Sequence, residues 1–244
     1  MEIEFIKNKV YYKIIDRTYT NSSGVYSVHK CTDAVKLAQV QKNIESIKTG
    51  LNAENLFIMN QVHGNDVIIA DNIDLKKQPQ ADASITTRPN VALGVLTADC
   101  VPVLFASDNG MVIGAAHCGW KSAKLNIITN VRKMMENKGA NKIKAIIGPA
   151  IAQKSYEVDA KYYHDFVSEG DDIKELFQPS RRENHFMFDL IGFVIKKLQK
   201  ENIELVHNME EDTYSMPEKY PSYRRSFHDG EQYSQNILST IIIR

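Results

Sequence analysis

The chain has 244 residues, enough for one large domain or two small ones with a sizeable buried core. Thirty basic residues cancel thirty acidic ones, so the electrostatic footprint of a nucleic-acid or anionic-membrane binder is missing. No apolar run approaches the roughly 20 residues of a membrane-spanning helix, the first residues lack the order of a signal peptide, and three cysteines give no disulfide framework. A cytoplasmic protein is the expectation.

In chain order, Glu2–Ile6 and Val10–Ile15 read as strands joined at Asn8-Lys9. From Thr32 the pattern turns helical, with Leu37, Val40, Ile44 and Ile47 on one face, Thr32 or Asp33 as a start cap and Gly50 as the end. Leu56–Met59 and Val67–Ala70 are short strands on either side of the loop Asn60–Asn65, and Asp71–Ala81 is a surface loop. Val91–Thr97 and Val101–Ser107 are strands interrupted by Ala98-Asp99-Cys100. Asp108-Asn109-Gly110 supplies a tight turn, and the third run, Met111–Ala116, leads to His117. Ser122–Lys138 predicts one helix with Gly139 just past its end, Ile143–Ile147 a strand and Asp159–Ser168 a short helix. His185–Phe188 is a strand, Leu190, Phe193, Val194 and Leu198 mark a helix, and Ile203–His207 is a strand. Tyr214–Arg225 reads as an irregular loop and Ile237–Ile243 as a buried closing strand. With no repeat and no linker, a single mixed α/β domain over residues 1–244 is the simplest organisation.

Three residues could carry chemistry together. His63 follows a strand, Cys100 lies between two strands, and His117 ends a strand; the predicted hairpin brings Cys100 and His117 together. One thiolate and two imidazoles suit zinc and leave a fourth tetrahedral position for water or substrate. Each alone has a plainer explanation, since a lone cysteine is often a small buried apolar residue and a lone histidine is often just hydrogen-bonded. The gaps between them match no compact zinc motif. Cys118 points opposite to His117 and reads as packing, while His29, His164, His185, His207 and His228 have no partner pattern. Tyr223, Arg224 and Arg225 form one basic-aromatic cluster, either a phosphate fork or an exposed pair. Asp82 and Asp99 could orient a ligand or hold a loop through backbone N–H groups; the structural role is favoured for Asp82, and both stand open for Asp99.

The motifs NQVHGNDV (Asn60–Val67), ADASITTRPNVALGVLTADCVPVLF (Ala81–Phe105), GAAHCGWK (Gly114–Lys121), IGPAI (Ile147–Ile151), YEVD (Tyr156–Asp159), FDL (Phe188–Leu190) and PSYRR (Pro221–Arg225) occur in one order. In this the chain resembles the YfiH/laccase-domain family, also called DUF152 or multicopper polyphenol oxidase, which includes a peptidoglycan editing factor. The resemblance spans roughly residues 55–227. It implies a fold related to the cytotoxic-necrotizing-factor catalytic domain and a zinc site of His63, Cys100 and His117. It also implies purine nucleoside phosphorylase activity on adenosine, inosine and methylthioadenosine, with adenosine deaminase activity alongside. Gln61, Arg224 and Arg225 are then expected to bind substrate or phosphate, and Asp99 to donate a proton to the departing base. The chain departs from the family pattern at Ser27–Gln39, at Cys118, at Ala152–Ser155 and at Ser226.

A multicopper oxidase would need on the order of ten histidines, mostly in His-x-His pairs; this chain has seven histidines and no such pair. A single copper at the same three ligands is still conceivable. The cytidine-deaminase signature is absent as well. Two other classes compete with the zinc phosphorylase. One is a metal-free hydrolase with Cys100 as nucleophile and His117 as base; the other is a non-catalytic, zinc-stabilised binding protein. Three convincing ligands, rather than four, favour an open position and catalysis. Small-molecule partners, a purine nucleoside and phosphate, are expected.

Overall fold

Runs of β-branched residues, too apolar to face water on either side, dictate the centre of the molecule. The structure is a computed structural model that describes residues 2–19, 26, 34–71, 74, 78–167, 171–231 and 235–244. Strands β1 (Ile3–Ile6) and β2 (Val10–Ile15) precede helix α1 (Ala34–Gly50), then come β3 (Asn55–Ile58), β4 (Val67–Ile69) and β5 (Ala83–Thr86). Strands β6 (Val91–Thr97), β7 (Val101–Ser107) and β8 (Ile113–Cys118) follow, then helices α2 (Trp120–Lys124) and α3 (Ile127–Asn137). The chain continues through β9 (Ile143–Ile147), β10 (Glu157–Asp159), α4 (Ala160–Val167), β11 (Phe177–Pro179), β12 (His185–Phe188) and α5 (Leu190–Lys200). It ends with β13 (Glu204–Asn208), α6 (Tyr223–Asp229) and β14 (Ile237–Ile243). The Thr32/Asp33 cap and His29 lie outside the described residues.

Two mixed sheets form the middle layers. One is five-stranded in the order β1-β2-β14-β6-β3, the other six-stranded in the order β13-β9-β7-β8-β5-β4. Leu93, Val95 and Ile241 from the first sheet interlock with Leu104, Ala115 and Ile146 from the second, so the sheets pack face to face. Ile47 of α1 and Leu51 just past its end cover the outer face of the five-stranded sheet. Helices α2 to α5, with the small sheet β10-β12-β11, cover the other side of the six-stranded one. The fold is therefore mixed α/β, as the element pattern predicts. Among the described residues no helix is long and apolar enough to cross a membrane.

Several boundaries differ from expectation, each for a local reason. The helix predicted over Ser122–Lys138 is two helices, because Asn126 adopts the left-handed region (φ 62°) and breaks the turn between them. Gly139, at φ +91°, ends α3 as expected. Strand β8 is displaced by two residues from the predicted run and includes His117 and Cys118, so His117 sits at the strand end as expected. Arg224 and Arg225 are not in a loop: they occupy the first turn of α6, capped by the Ser222 hydroxyl, which accepts from the Arg225 N–H at 3.1 Å.

Just past β4, Asp71 ties three elements together. Its oxygens accept from the Thr86 hydroxyl (2.8 Å), the Thr87 N–H (2.9 Å) and the Lys138 ammonium (2.9 Å). Burial raises this carboxyl, but the Thr87 amide, Lys138 and the threonine hydroxyls outweigh it and hold it below the ordinary carboxylate range. With the folded value depressed, its contribution is complete above the unfolded pKa, about 4, and is lost as pH falls through the folded one. Asp71→Asn should therefore lower stability at pH 7 by about 1–3 kcal/mol. The gap to the parent should close near pH 2, read as urea midpoints across pH.

Candidate functional site

The residues Ala98-Asp99-Cys100 carry the chain from the five-stranded sheet to the six-stranded one, and the site forms at that crossing. Asp99 sits at φ 89°, a strained turn that lets β6 stop and β7 begin within three residues. In the β7–β8 hairpin Pro102 pairs with His117 and Val101 with Cys118, so Cys100 lies beside the end of β8. His63 arrives from the loop after β3, itself in the left-handed region at φ 58°. The ligand atoms of His63, Cys100 and His117 all lie within 4.8 Å of one another. Cys100 Sγ is 3.9 Å from His63 Nε2, and the two imidazole rings stand nearly perpendicular, 4.7 Å apart. Cys118 is fully buried on the other side of the strand, and burial pushes its thiol up, as its packing role predicts.

Gly119 explains how the three ligands approach so closely. A Cβ there would lie 2.9 Å from His63 Cδ2 and 3.0 Å from Cys100 Sγ, closer than side chains tolerate. Gly119→Ala should therefore displace both side chains and weaken the binding of added divalent metal by about tenfold or more, with a thermal midpoint close to the parent's. A metal titration beside a melting curve checks it.

What orients the triad is Asp82, for which the sequence favoured holding a loop over orienting a ligand; it does both. It is fully buried, and its carboxylate accepts from the N–H groups of Val62 (3.1 Å), His63 (2.9 Å) and Gly64 (2.6 Å). The same carboxylate lies 2.8 Å from His117 Nδ1, and the Asp82 carbonyl accepts from the His117 N–H at 2.8 Å. One aspartate thus fixes the loop that presents His63 and the ring of His117. With Nδ1 committed as donor to Asp82, the Nε2 lone pair of His117 is left for the site. Burial raises the Asp82 carboxyl, yet the bond and charge of His117 and the loop amides hold it below the ordinary range. The motif ADAS, small residues flanking an acid, was the only signal of this role in the sequence.

Burial would also push the Cys100 thiol up, but the charge of His117 and hydrogen bonds from both imidazoles outweigh it, so the thiol is depressed. His117 is raised in return by Cys100 and Asp82, against the effect of burial. Both shifts run in the direction that favours the thiolate at Cys100, with His117 as the partner that stabilises it. Two nitrogens and one sulfur converging on one point, with a carboxylate behind one imidazole, are a donor set that fits a metal ion.

A cavity of about 720 Å³ opens above the triad. Met59, Asn60, Leu96, Thr97 and Asn236 line it on the side of the five-stranded sheet, and Trp120, Tyr156, Leu190 and Arg224 on the side of the helices. Gln61 lines it too, but its amide is paired with the Leu96 backbone, donating to the carbonyl at 2.7 Å and accepting from the N–H at 2.8 Å. Asp99 reaches the wall with both oxygens engaged as acceptors: from the Thr213 hydroxyl (2.7 Å), the Ser222 hydroxyl (3.0 Å) and the Arg224 N–H (2.6 Å). The Arg224 guanidinium lies 5.0 Å from the Tyr156 ring centre and donates to the Glu157 carbonyl at 2.6 Å. Burial is the main reason the Tyr156 phenol is pushed up to about 12. Arg225 is not on the wall; its guanidinium donates to the carbonyls of Thr213, Tyr214 and Tyr220. Of the remaining histidines, His185 bonds the Glu183 carbonyl and His228 the Tyr214 hydroxyl, both away from the triad.

A mixed α/β chain with a Cys-His-His constellation at the floor of a cavity defines the class. The particular family follows from comparison: the chain belongs to the multi-copper polyphenol oxidoreductase laccase family, whose family model matches residues 12–239. It is 48% identical over 239 residues to a purine nucleoside phosphorylase of Rickettsia conorii, with 98% of each chain covered. The crystal structure of a Neisseria meningitidis protein assigned to DUF152 superposes with a TM-score of 0.82 at 23% identity, covering 100% of this chain and 98% of that one. The Bacillus licheniformis hypothetical protein YfiH gives 0.82 at 21% identity, with coverage of 96% and 93%. These structural likenesses establish the fold as that of the DUF152 and YfiH proteins.

Proposed function

We propose that this chain is a zinc-dependent purine nucleoside phosphorylase that also deaminates adenosine. The observation that carries this reading is the convergence of His63, Cys100 and His117 at the floor of a cavity large enough for a nucleoside, with Asp82 fixing the backbone of His63 and the ring of His117. The name of the Rickettsia conorii relative supports the substrate class. Bound zinc would act as a Lewis acid at the cavity floor, where charge develops in the transition state. The protein's own groups do the positioning. Trp120, Leu190 and Tyr156 offer a flat apolar wall for the purine, and the Arg224 fork reaches phosphate. A phosphate oxygen then bonds to the anomeric carbon as the carbon–nitrogen bond to the base breaks, the electron pair leaving with the purine. We assign Asp99 to holding Arg224 in place, since its oxygens accept from the Arg224 N–H and the Ser222 hydroxyl at the start of α6 and from the Thr213 hydroxyl before it; Gln61 likewise shapes the wall through Leu96.

The test is purified protein with inosine and phosphate. Ribose-1-phosphate should form, be lost in Cys100→Ala, and accompany about one zinc per chain by elemental analysis; adenosine should release ammonia. No ribose-1-phosphate, or full activity in Cys100→Ala, rejects the assignment. A second reading has an observation of its own. The depressed Cys100 thiol beside His117 suits a metal-free nucleophile that hydrolyses an amide or acyl bond. Stoichiometric metal on the thiolate excludes it.

A further inference from the structure

A helix that stops leaves backbone carbonyls that a continuous one would satisfy within itself. Helix α2 starts at Trp120, just past His117, and stops at Lys124, because Asn126 takes the left-handed region at φ 62°. In an unbroken helix the Leu125 carbonyl would accept from the amide four residues on. Here it accepts from the Asn65 side-chain amide at 2.8 Å. A second bond comes from α3, where the Asn130 side chain donates to the Asn65 carbonyl at 2.9 Å. Lys197 of α5 donates to Asn126 Oδ1 at 2.9 Å and pins the junction itself. Asn65 is thus gripped at its side chain and at its backbone by a distant part of the chain.

That grip falls on the loop that needs it. His117 is 3% exposed and set in a sheet, whereas His63 is exposed and its backbone lies in the left-handed region at φ 58°. Packing does not hold such a residue, and its conformation persists only where the surroundings over-determine it. The bonds to the Asp82 carboxylate secure Val62, His63 and Gly64; the contacts of Asn65 begin where those stop. The two anchors also lead to different places. Because β8 runs into α2, the segment from Trp120 to Leu125 is a strut from one imidazole to the loop of the other. We propose that Asn65 and Asn130 are positioning residues for the metal site, which set His63 against His117 and Cys100 through the α2–α3 junction. The turn at Asn126 is then the means by which a helix end presents a carbonyl to that loop. The inference rests on the metal-site reading above and adds residues that no ligand touches.

The experiment titrates metal-free wild type, Asn65→Ala, Asn130→Ala and Asp71→Asn with zinc by calorimetry, and follows deuterium uptake over residues 60–66. Alanine at 130 removes the donor and is the better helix former, so α3 itself should not suffer. The wild type should take up about one zinc per chain, lost in Cys100→Ala. Asn65→Ala and Asn130→Ala should each bind zinc about tenfold more weakly, with faster uptake over 60–66 and melting temperatures close to the parent's. Asp71→Asn, whose lost bonds lie elsewhere, should melt earlier yet keep its zinc affinity within about twofold. Equal weakening in Asp71→Asn, or parental zinc affinity in both asparagine variants, overturns the proposal. Faster uptake over 60–66 with zinc affinity unchanged also overturns it, since the grip would then fasten the loop only. If the wild type takes up no zinc, the metal reading itself falls and takes this one with it.

Discussion

An Asp82→Ala variant is expected to lose both the site and much of the fold's margin. Four donors converge on this buried carboxylate: the N–H groups of Val62, His63 and Gly64, and His117 Nδ1. Removing it leaves them without a partner in a region closed to water, a class of change that costs about 3–5 kcal/mol when a buried charge is involved. That is a large share of a typical domain's 5–15 kcal/mol. The loop also loses what holds His63 at φ 58°, a conformation a non-glycine residue adopts at a cost of about 1–3 kcal/mol. His63 then relaxes away, and the His117 ring is free to turn. Metal affinity should drop about 10- to 100-fold from the loss of orientation alone, and turnover by more than that. Asp82→Asn separates the two effects. It preserves shape but brings an NH₂ group against one of the donors, so stability is partly kept while the His117 tautomer is no longer fixed. Denaturation midpoints and metal titrations on both variants decide. Unchanged metal affinity in Asp82→Asn would show that the carboxylate serves the loop only.

Much of this arrangement was legible from local pattern. Strands β6, β7, β9 and β14 begin and end where apolar runs do, because each is buried along most of its length and its sequence has little freedom. Strand β5 was not legible: Ala83–Thr86 is short and small, and it becomes a strand only because β4 and β8 flank it. The break between α2 and α3 was hidden by a helical periodicity that continues through Asn126. For the site, the three ligands could be picked out by residue type and by their places at strand ends, and the hairpin register then brought Cys100 beside His117. Asp82 could be singled out only together with Asp99, since its importance comes from four donors on two stretches of chain that the fold alone brings to it. The two arginines were indistinguishable for the same reason: adjacent residues in one turn of α6 point to different surroundings that only the folded chain supplies.

That difference gives the second large effect. Arg224→Ala should leave the fold nearly intact, because its side chain makes one backbone contact, to Glu157, and packs on Tyr156 at the cavity wall. Phosphorolysis should instead fall by about 10²–10³ in kcat/KM, the scale set by removing one preorganised donor from a developing charge. Saturation with phosphate should weaken more than saturation with inosine. Arg224→Lys should recover only part of the loss, since a single ammonium cannot reproduce a planar fork. Arg225→Ala should behave in the opposite way. Its guanidinium gathers the carbonyls of Thr213 (2.8 Å), Tyr214 (2.6 Å) and Tyr220 (2.6 Å), and so closes the loop that also carries Thr213 and Ser222 to Asp99. Opening it costs about 2–4 kcal/mol, given roughly 1.5–3 kcal/mol for a hydrogen bond to a charged group. Any loss of activity there should track the unfolded fraction and recover on cooling. Were Arg225→Ala instead stable but unable to use phosphate, the anion would have to be held from the α6 side of the loop, and the assignment of Arg224 as the phosphate fork would be wrong.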